Sequence, residues 1–250
     1  MKMIKIFLAK DFYYVQSLGV STQSHSQIAH QISLVGPDGK LRCDGEEGVG
    51  AYFPSSIPHE LSSEDLLHTF LLSPVHRGAR RLSRCRAQPC RFRPGHDTRE
   101  TLAGLKFESS DSTTLDRCLN DLISLLTTED VPDEPLDERI ADAIGYIDDL
   151  ETKRVAAGEL AEQIALSESR FLHLFKSETH ITVRKYLMWR RAVDAALMVV
   201  QGFTITEAAH AAGFTDSAHF ANVFKQIFGL TLSAAVGQEQ RPVLVVGEKI

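Results

Sequence analysis

Two segments near the C-terminus carry hydrogen-bonding side chains on one face of a predicted helix. In each segment apolar residues recur at helical spacing, so one side is buried and the intervening positions stay open to a ligand. Hydroxyl, amide, imidazole and cationic groups at such positions suit hydrogen bonds to base edges or phosphates. The open positions are Ser169, Arg170, His173 and Lys176 in the earlier segment and Ser217, Ala218, His219, Asn222 and Lys225 in the later one.

Each of these helices is predicted to be the second helix of a helix-turn-helix. In the later stretch, Thr204 to Gly229, Gly213 can take the left-handed geometry that ends one helix and Asp216 can cap the next. The earlier stretch, Glu159 to Lys176, repeats the plan with Ser167 as the cap. The two segments therefore predict a pair of helix-turn-helix units.

One continuous helix is predicted between the pair, from Thr182 to Gln201, because the stretch is amphipathic and lacks proline. At ~1.5 Å per residue it spans ~30 Å, close to the ~34 Å of one DNA turn. Arg190 lies on this helix, where we expect a phosphate to pass. The spacing predicts sequence-specific binding to DNA, and the alternative is an ordinary helical bundle.

These segments resemble the AraC/XylS-type transcription regulators over residues 137–236. The string TITEAAHAAGFTDSAHFANVFKQIFG covers the second helix-turn-helix, and LAEQIALSESRFLHLFKSE covers the first. The resemblance implies a regulator that is not an enzyme, with double-stranded promoter DNA and RNA polymerase as partners. One departure is His180, which replaces a usual glycine after the first recognition helix; histidine tolerates positive φ.

Composition limits the alternatives. A net charge of -6 excludes attraction to nucleic acid by bulk charge, so the attraction must be local. The segment from residue 152 to residue 236 contains nine Lys and Arg residues and seven Asp and Glu residues. The four cysteines form no CxxC pair, and no nucleotide-binding or hydrolase signature occurs. No long apolar run or signal-peptide pattern is present, which predicts a cytoplasmic protein without membrane contact.

The first half of the chain has the pattern of antiparallel strands. Runs such as IAHQISLV and VGAYFP are separated by turn signals at GPDG and DGEEG. The pattern resembles the small cupin-like barrel, with helices, that precedes the DNA-binding half of many AraC-type regulators. The predicted fold class is therefore α+β: a cupin-like barrel followed by an all-α domain of two helix-turn-helix units joined by one long helix.

Three histidines fall where cupin enzymes hold a metal: His25, His30 and His59. The usual histidine-x-histidine is HSQ here and the motif glutamate is missing, so we predict no metal and no cofactor. These residues are the candidate contacts to a small effector. The alternative is a cupin-type metalloprotein or metalloenzyme fused to a DNA-binding module.

Two further stretches leave alternatives open. The arginine-rich stretch from Val75 to Arg99 is either a phosphate-binding or acidic-ligand surface, or a solvated loop or helix that pairs with acids elsewhere. A leucine stripe is either a homodimer helix or a helix that lies back on the barrel. The stripe consists of Leu115, Leu119, Leu122, Leu125 and Leu126.

The domain limits follow from these patterns. We predict a cupin-like effector or dimerisation domain at 1–130, a proline-rich and acidic linker at 131–136 and the DNA-binding domain at 137–236. Residues 237–250 are predicted to be a tail.

Overall fold

The structure is a computed structural model, and it describes residues 2–9, 11–86, 88–105, 111–127, 134–235 and 243–246. The chain divides into two compact units. The sheet unit comprises Met1–Pro132 with Lys225–Ile250, and the helical unit comprises Asp133–Phe224. The predicted domain limits remain predictions, and residues 131–133 of the predicted linker lie outside the described residues.

The sheet unit is built on one large sheet. Within the described ranges the sheet has nine strands: β1 (Lys2–Leu8), β2 (Phe12–Ser21), β3 (His30–Val35), β4 (Leu41–Cys43), β5 (Glu46–Gly48), β6 (Gly50–Phe53), β7 (Leu61–Leu72), β8 (Cys90–Phe92) and β9 (Val243–Val246). The order is β8-β6-β3-β7-β2-β1-β9, and β4 pairs with β5 and β7. The pairs are antiparallel apart from β1 with β9, which is parallel.

Both faces of the sheet bury apolar side chains, because successive strand residues point to opposite sides. One face carries Tyr14, Ile32 and Phe70 and packs against helices. The other face carries Val35, Phe53 and Leu67 in a second core. Buried residues on both faces agree with the predicted barrel-like domain, and the α+β prediction is confirmed.

Three helices cover the first of these faces: α1 (Arg77–Cys85), α2 (His96–Gly104) and α3 (Ser112–Leu126). Asp111 caps α3 by accepting a hydrogen bond from the backbone N–H of Thr114 at 2.7 Å. Four residues of the leucine stripe, Leu115, Leu119, Leu122 and Leu126, are buried in the core with the sheet. The stripe therefore lies back on the sheet. Leu125 does not belong to it, since it is 43% exposed.

The arginine-rich stretch forms α1, β8 and the start of α2. Its side chains are engaged within the protein: Arg80 is buried, Arg91 forms an ion pair with Glu46, and Arg86 donates from Nε to the Leu126 carbonyl at 2.7 Å. These contacts favour the interpretation of a stretch that pairs within the fold over that of a phosphate-binding surface.

Part of the predicted tail is ordered in the sheet. Val243–Val246 forms β9 and runs parallel to β1, with Lys5 opposite Val243 and Leu8 opposite Val246. The tail prediction did not include this strand, because four apolar residues in a polar segment give no periodic signal.

The helical unit contains α4 (Glu138–Asp149), α5 (Ala157–Gln163), α6 (Glu168–Thr179), α7 (Val183–Gln201), α8 (Ile205–Ala211) and the start of α9 (Ser217–Phe228). The end of α9 and α10 (Leu232–Ala235) are grouped with the sheet unit. A row of aromatic rings fixes α6 on α7: Phe171, Phe175, Tyr186 and Trp189 follow one another with ring centroids 5.9, 5.5 and 6.0 Å apart. Such contacts bury most of the apolar face of α6.

Among the described residues, no helix combines the length and the apolar character that crossing a membrane requires.

Candidate nucleic-acid interface

The first helix-turn-helix consists of α5 and α6. Between them Ala165 has φ of 53° and Leu166 donates from its backbone N–H to the Ala161 carbonyl at 2.9 Å, which closes the turn. Ser167 then caps α6 by accepting a hydrogen bond from the backbone N–H of Arg170 at 3.4 Å. The cap is the one that the sequence predicted.

The open face of α6 presents its predicted residues to solvent. Phe171 and Phe175 are buried, whereas Ser169, Arg170, His173 and Lys176 are all exposed. Leu172 lies on the same side and is 38% exposed. This face therefore offers two cations, an imidazole and a hydroxyl around one apolar side chain.

The second helix-turn-helix consists of α8 and α9. Thr204 and Glu207 form a capping box at the start of α8: Thr204 Oγ1 accepts from the Glu207 N–H at 3.2 Å, and Glu207 accepts from the Thr204 N–H at 2.8 Å. Gly213 turns the chain with φ of 80°. Asp216 Oδ1 accepts from the His219 N–H at 2.7 Å, and this hydrogen bond lowers the pKa of the Asp216 carboxyl.

The short helix α8 buries only some of its apolar residues. Ala208 and Ala209 are buried, whereas Ile205, its first residue, is 39% exposed.

The predicted ligand contacts on α9 differ in their exposure and in their contacts with the rest of the protein. Ala218, Asn222 and Lys225 are exposed, and Ser217 is half-buried. His219 is half-buried and is held locally, with Nδ1 3.1 Å from Thr215 Oγ1 and its ring edge-on to Phe214 at 5.3 Å. Asn222 is thus a projecting amide, whereas the His219 ring forms part of the turn.

The connecting helix α7 begins and ends as predicted. Thr182 caps it by accepting from the Lys185 N–H at 3.4 Å, and Gly202 ends it in the left-handed region. Just before it, His180 ends α6 with φ of 60°, so this position keeps the left-handed geometry without glycine.

Arg190 lies in a different environment from the one the sequence suggested. Its Nη1 is 2.6 Å from Asp148 Oδ1 and donates to the Tyr186 hydroxyl at 3.3 Å. The side chain is 15% exposed, and the Asp148 side chain is 30% exposed. Arg190 therefore ties α7 to α4, and the structure does not present it as a projecting cation.

Arg191 and Arg154 support the second turn. Arg191 donates to the Gly213 carbonyl at 3.4 Å and its guanidinium lies 5.4 Å from the centre of the Phe214 ring. A Cβ on Gly213 would lie 2.7 Å from Arg154 Cδ, so the stem of Arg154 packs against this glycine. The positions of arginines in the sequence do not predict these contacts, because the contacts join residues up to 59 positions apart.

The three candidate effector residues do not form one cluster. His25 and His59 form an isolated β-bridge, with ring centroids 4.4 Å apart. Each donates from Nδ1 to a backbone carbonyl 2.9 Å away, so Nδ1 is the protonated nitrogen. His30 instead lies between Tyr52, at 2.8 Å, and Ser83, at 3.2 Å. The described residues contain one group of three metal-ligating side chains with converging atoms, the exposed His96, Asp97 and Glu100, and none of the candidate histidines belongs to it.

Comparison with known proteins finds similar sequences for the two helix-turn-helix units. A family model described as a helix-turn-helix domain matches residues 160–237. The arabinose operon regulatory protein of Salmonella typhimurium is 32% identical over 101 residues, which are 40% of this chain and 36% of that protein. The transcriptional activator RhaS of Escherichia fergusonii is 32% identical over 98 residues, 39% of this chain and 35% of that protein. The chain thus spans about a third of the length of these relatives.

Solved structures match over a larger part of the chain. ToxT from Vibrio cholerae has a TM-score of 0.57 with 12% sequence identity, and the match covers 90% of this chain and 98% of ToxT. At this identity the match establishes a common fold, a barrel-like domain followed by helices. The sequence match and the observed pair of capped units identify residues 160–237 as a helix-turn-helix domain that is similar to a part of these two regulators.

Proposed function

We propose that the protein is a sequence-specific DNA-binding transcription regulator. The observation that carries the proposal is the pair of helix-turn-helix units, each with its own cap and turn, joined by one uninterrupted helix of 19 residues. A helix of that length spans ~28 Å, close to the ~34 Å repeat of a duplex. Related proteins with the same domain are regulators by name.

We assign base contacts to residues on the open face near the start of each recognition helix. On α6 these are Ser169, Arg170 and His173, and on α9 they are Ser217, Ala218, His219 and Asn222. Lys176 and Lys225 lie one or two turns further along, where cations reach phosphates. Arg190 keeps a phosphate role only if the duplex replaces Asp148 as its partner.

The sheet unit supplies a separate effector or dimerisation function in this proposal. One ToxT structure contains a bound unsaturated fatty acid, with a TM-score of 0.56 to this chain. By analogy, we propose that a small organic effector binds the sheet unit, with His25, His30 and His59 as contacts. RNA polymerase and a second copy of the chain are the proposed protein partners, and the cytoplasm is the proposed location.

Selection of DNA from a random library by the full chain tests the proposal. The enriched sequence should contain two short conserved blocks about one helical turn apart. At physiological salt the full chain should bind this sequence at least ~10³-fold more tightly than a scrambled duplex of the same composition. Equal affinity for both duplexes would overturn the proposal.

A further inference from the structure

The helical unit contains a cavity of about 450 Å³ beside the first recognition helix. The cavity has two kinds of lining. One part is apolar and includes Leu172, Val183 and Leu187, and another part is cationic and includes Arg154, Arg184 and Arg191. None of the residues that line it is acidic; the remaining ones are Lys153, Val155, Ala156 and Ala157.

The cations divide into those that the fold uses and those that face the cavity. Lys153 donates from Nζ to the backbone carbonyls of Asp148 and Leu150 at 3.0 and 2.7 Å, so its ammonium group caps the C-terminal end of α4. Arg154 and Arg184 are exposed. Nε of Arg191 is buried without a hydrogen-bond partner, although its other nitrogens contact Gly213 and Met188. Arg154 and Arg184 are therefore the cations whose charge is open to a ligand in the cavity.

Two of these arginines meet at the same glycine. The stem of Arg154 packs on Gly213, and Arg191 donates to the Gly213 carbonyl. Two positive charges so close together repel each other unless an anion lies between them. Desolvation lowers the pKa of Arg191, and the charge of Arg154 lowers it further, which agrees with two uncompensated neighbours.

The apolar part sets the shape of the ligand. Leu172 projects from a recognition helix and is 38% exposed. It lines the cavity together with Val183 and Leu187. Val183 and Leu187 are largely buried, so Leu172 is the apolar side chain that a ligand would cover. A phosphate of DNA would leave Leu172 in water, whereas an anion with a hydrocarbon body would cover it. We infer that this cavity binds a small organic anion, a carboxylate with an apolar body, between Arg154, Arg184 and Leu172.

Such a ligand would contact the first helix-turn-helix directly and would reach the turn of the second only through two arginines. Leu172 lies on α6, and Arg154 and Arg191 hold the turn before α9. Binding would therefore alter the packing at Gly213. This consequence for DNA rests on the proposed function, but the ligand site itself does not.

Titration of the full chain with hexanoate tests the inference, with hexan-1-ol as the uncharged probe of the same chain length. We expect one saturable hexanoate site with a Kd of about 1 mM or below and at least about tenfold weaker binding of hexan-1-ol. Arg154→Gln and Arg184→Gln should each weaken hexanoate binding about fivefold to tenfold. Lys185→Gln is the matched control, because Lys185 is exposed next to Arg184 but does not line the cavity.

Three results would overturn the inference: no saturable binding, equal binding of hexan-1-ol, or hexanoate binding that neither arginine substitution weakens. A fourth is loss of DNA affinity in Arg154→Gln without hexanoate, with Lys185→Gln unaffected, because the cavity would then be a phosphate contact. If the selected DNA fails to bind specifically, the proposed function fails, but the hexanoate titration still decides the site. Unchanged urea midpoints of the variants verify that they fold.

Discussion

At the scale of single residues, solvent exposure distinguishes side chains that can contact a ligand from side chains that stabilise the fold. Asn222 and Lys225 project from α9, whereas His219 is held by Thr215 and packs on Phe214. A projecting amide can meet a base edge through both its donor and its acceptor, and a projecting ammonium meets a phosphate as a point charge. The two residues should therefore affect DNA binding differently.

Asn222→Ala should weaken binding to the selected DNA by ~1–3 kcal/mol and relax the preference at one base pair. Lys225→Ala should instead weaken binding to all sequences about equally and reduce the slope of log K against log salt by ~1. Fluorescence anisotropy titrations at several salt concentrations measure both quantities. If Asn222→Ala weakens every sequence alike, the assignment of this face to base contacts is wrong.

Arg190→Ala should lower the free energy of unfolding by ~1–3 kcal/mol, because it leaves the half-buried Asp148 without its ion-pair partner. The salt dependence of DNA binding should stay as in the wild-type protein. Urea denaturation and salt titrations distinguish the two roles, and Lys185→Ala serves as an exposed control on the same helix. A variant with unchanged stability and a reduced salt slope would restore the phosphate contact that the sequence suggested.

At the scale of the elements, the helix ends follow closely from local sequence. Ser167, Thr182 and Asp216 cap three successive helices through side-chain oxygens, and each is a residue type that prefers this position. His180 and Gly213 occupy left-handed conformations, as the helix-ending pattern predicted. The signals lie within four residues of the structure that they specify, so one sequence is sufficient to read them.

The left-handed positions give opposite expectations for substitution. Gly213→Ala should lower the free energy of unfolding by ~1–3 kcal/mol, because φ is 80° and the new Cβ would lie 2.7 Å from Arg154 Cδ. His180→Gly should raise the free energy of unfolding by up to ~1 kcal/mol. Glycine adopts the left-handed conformation of this position without strain, and the His180 side chain is exposed, so its removal loses little packing. Equilibrium unfolding in urea measures both, and a stabilised Gly213→Ala would contradict the close approach of Arg154.

Features that depend on distant partners were not predictable in the same way. The ion pair of Arg190 with Asp148 joins two helices across 42 positions, and β9 pairs with β1 from the other end of the chain. The cavity beside Leu172 needs three separate segments to meet. Periodicity records which face of an element is apolar, but it does not record which partner covers that face. The base contacts are a further step, and their assignment stays a prediction.

At the scale of the whole molecule, the histidines divide between the two units. In the sheet unit His25, His30, His59 and His68 are buried. In the helical unit His173, His180 and His210 are exposed, and His219 is half-buried. Burial lowers the pKa of His68 and of His59 to about 4, and lowers that of His25 as well. Mild acid should therefore act on the sheet unit through its buried histidines, whereas the helical unit has no buried histidine among its described residues.

His68 provides the test of this difference. Its pKa falls from 6.5 to about 4 through burial, so between these values the unfolded chain binds a proton that the folded chain does not. The free energy of unfolding should thus fall as the pH is lowered from 6.5 to about 4, by roughly 1–3 kcal/mol for this group. His68→Gln keeps a polar partner for the Tyr14 hydroxyl, which lies 2.7 Å from His68 Nδ1, but does not titrate.

Urea denaturation of the full chain at about pH 7 and about pH 4.5, with and without His68→Gln, measures the effect. The variant should be less stable than the wild-type protein near neutrality, and its disadvantage should shrink or reverse in acid. His173→Gln is the matched control, because it makes the same replacement at an exposed histidine. Parallel curves for the wild-type protein and His68→Gln would mean that His68 becomes protonated without unfolding, and that the sheet unit is hydrated around this residue.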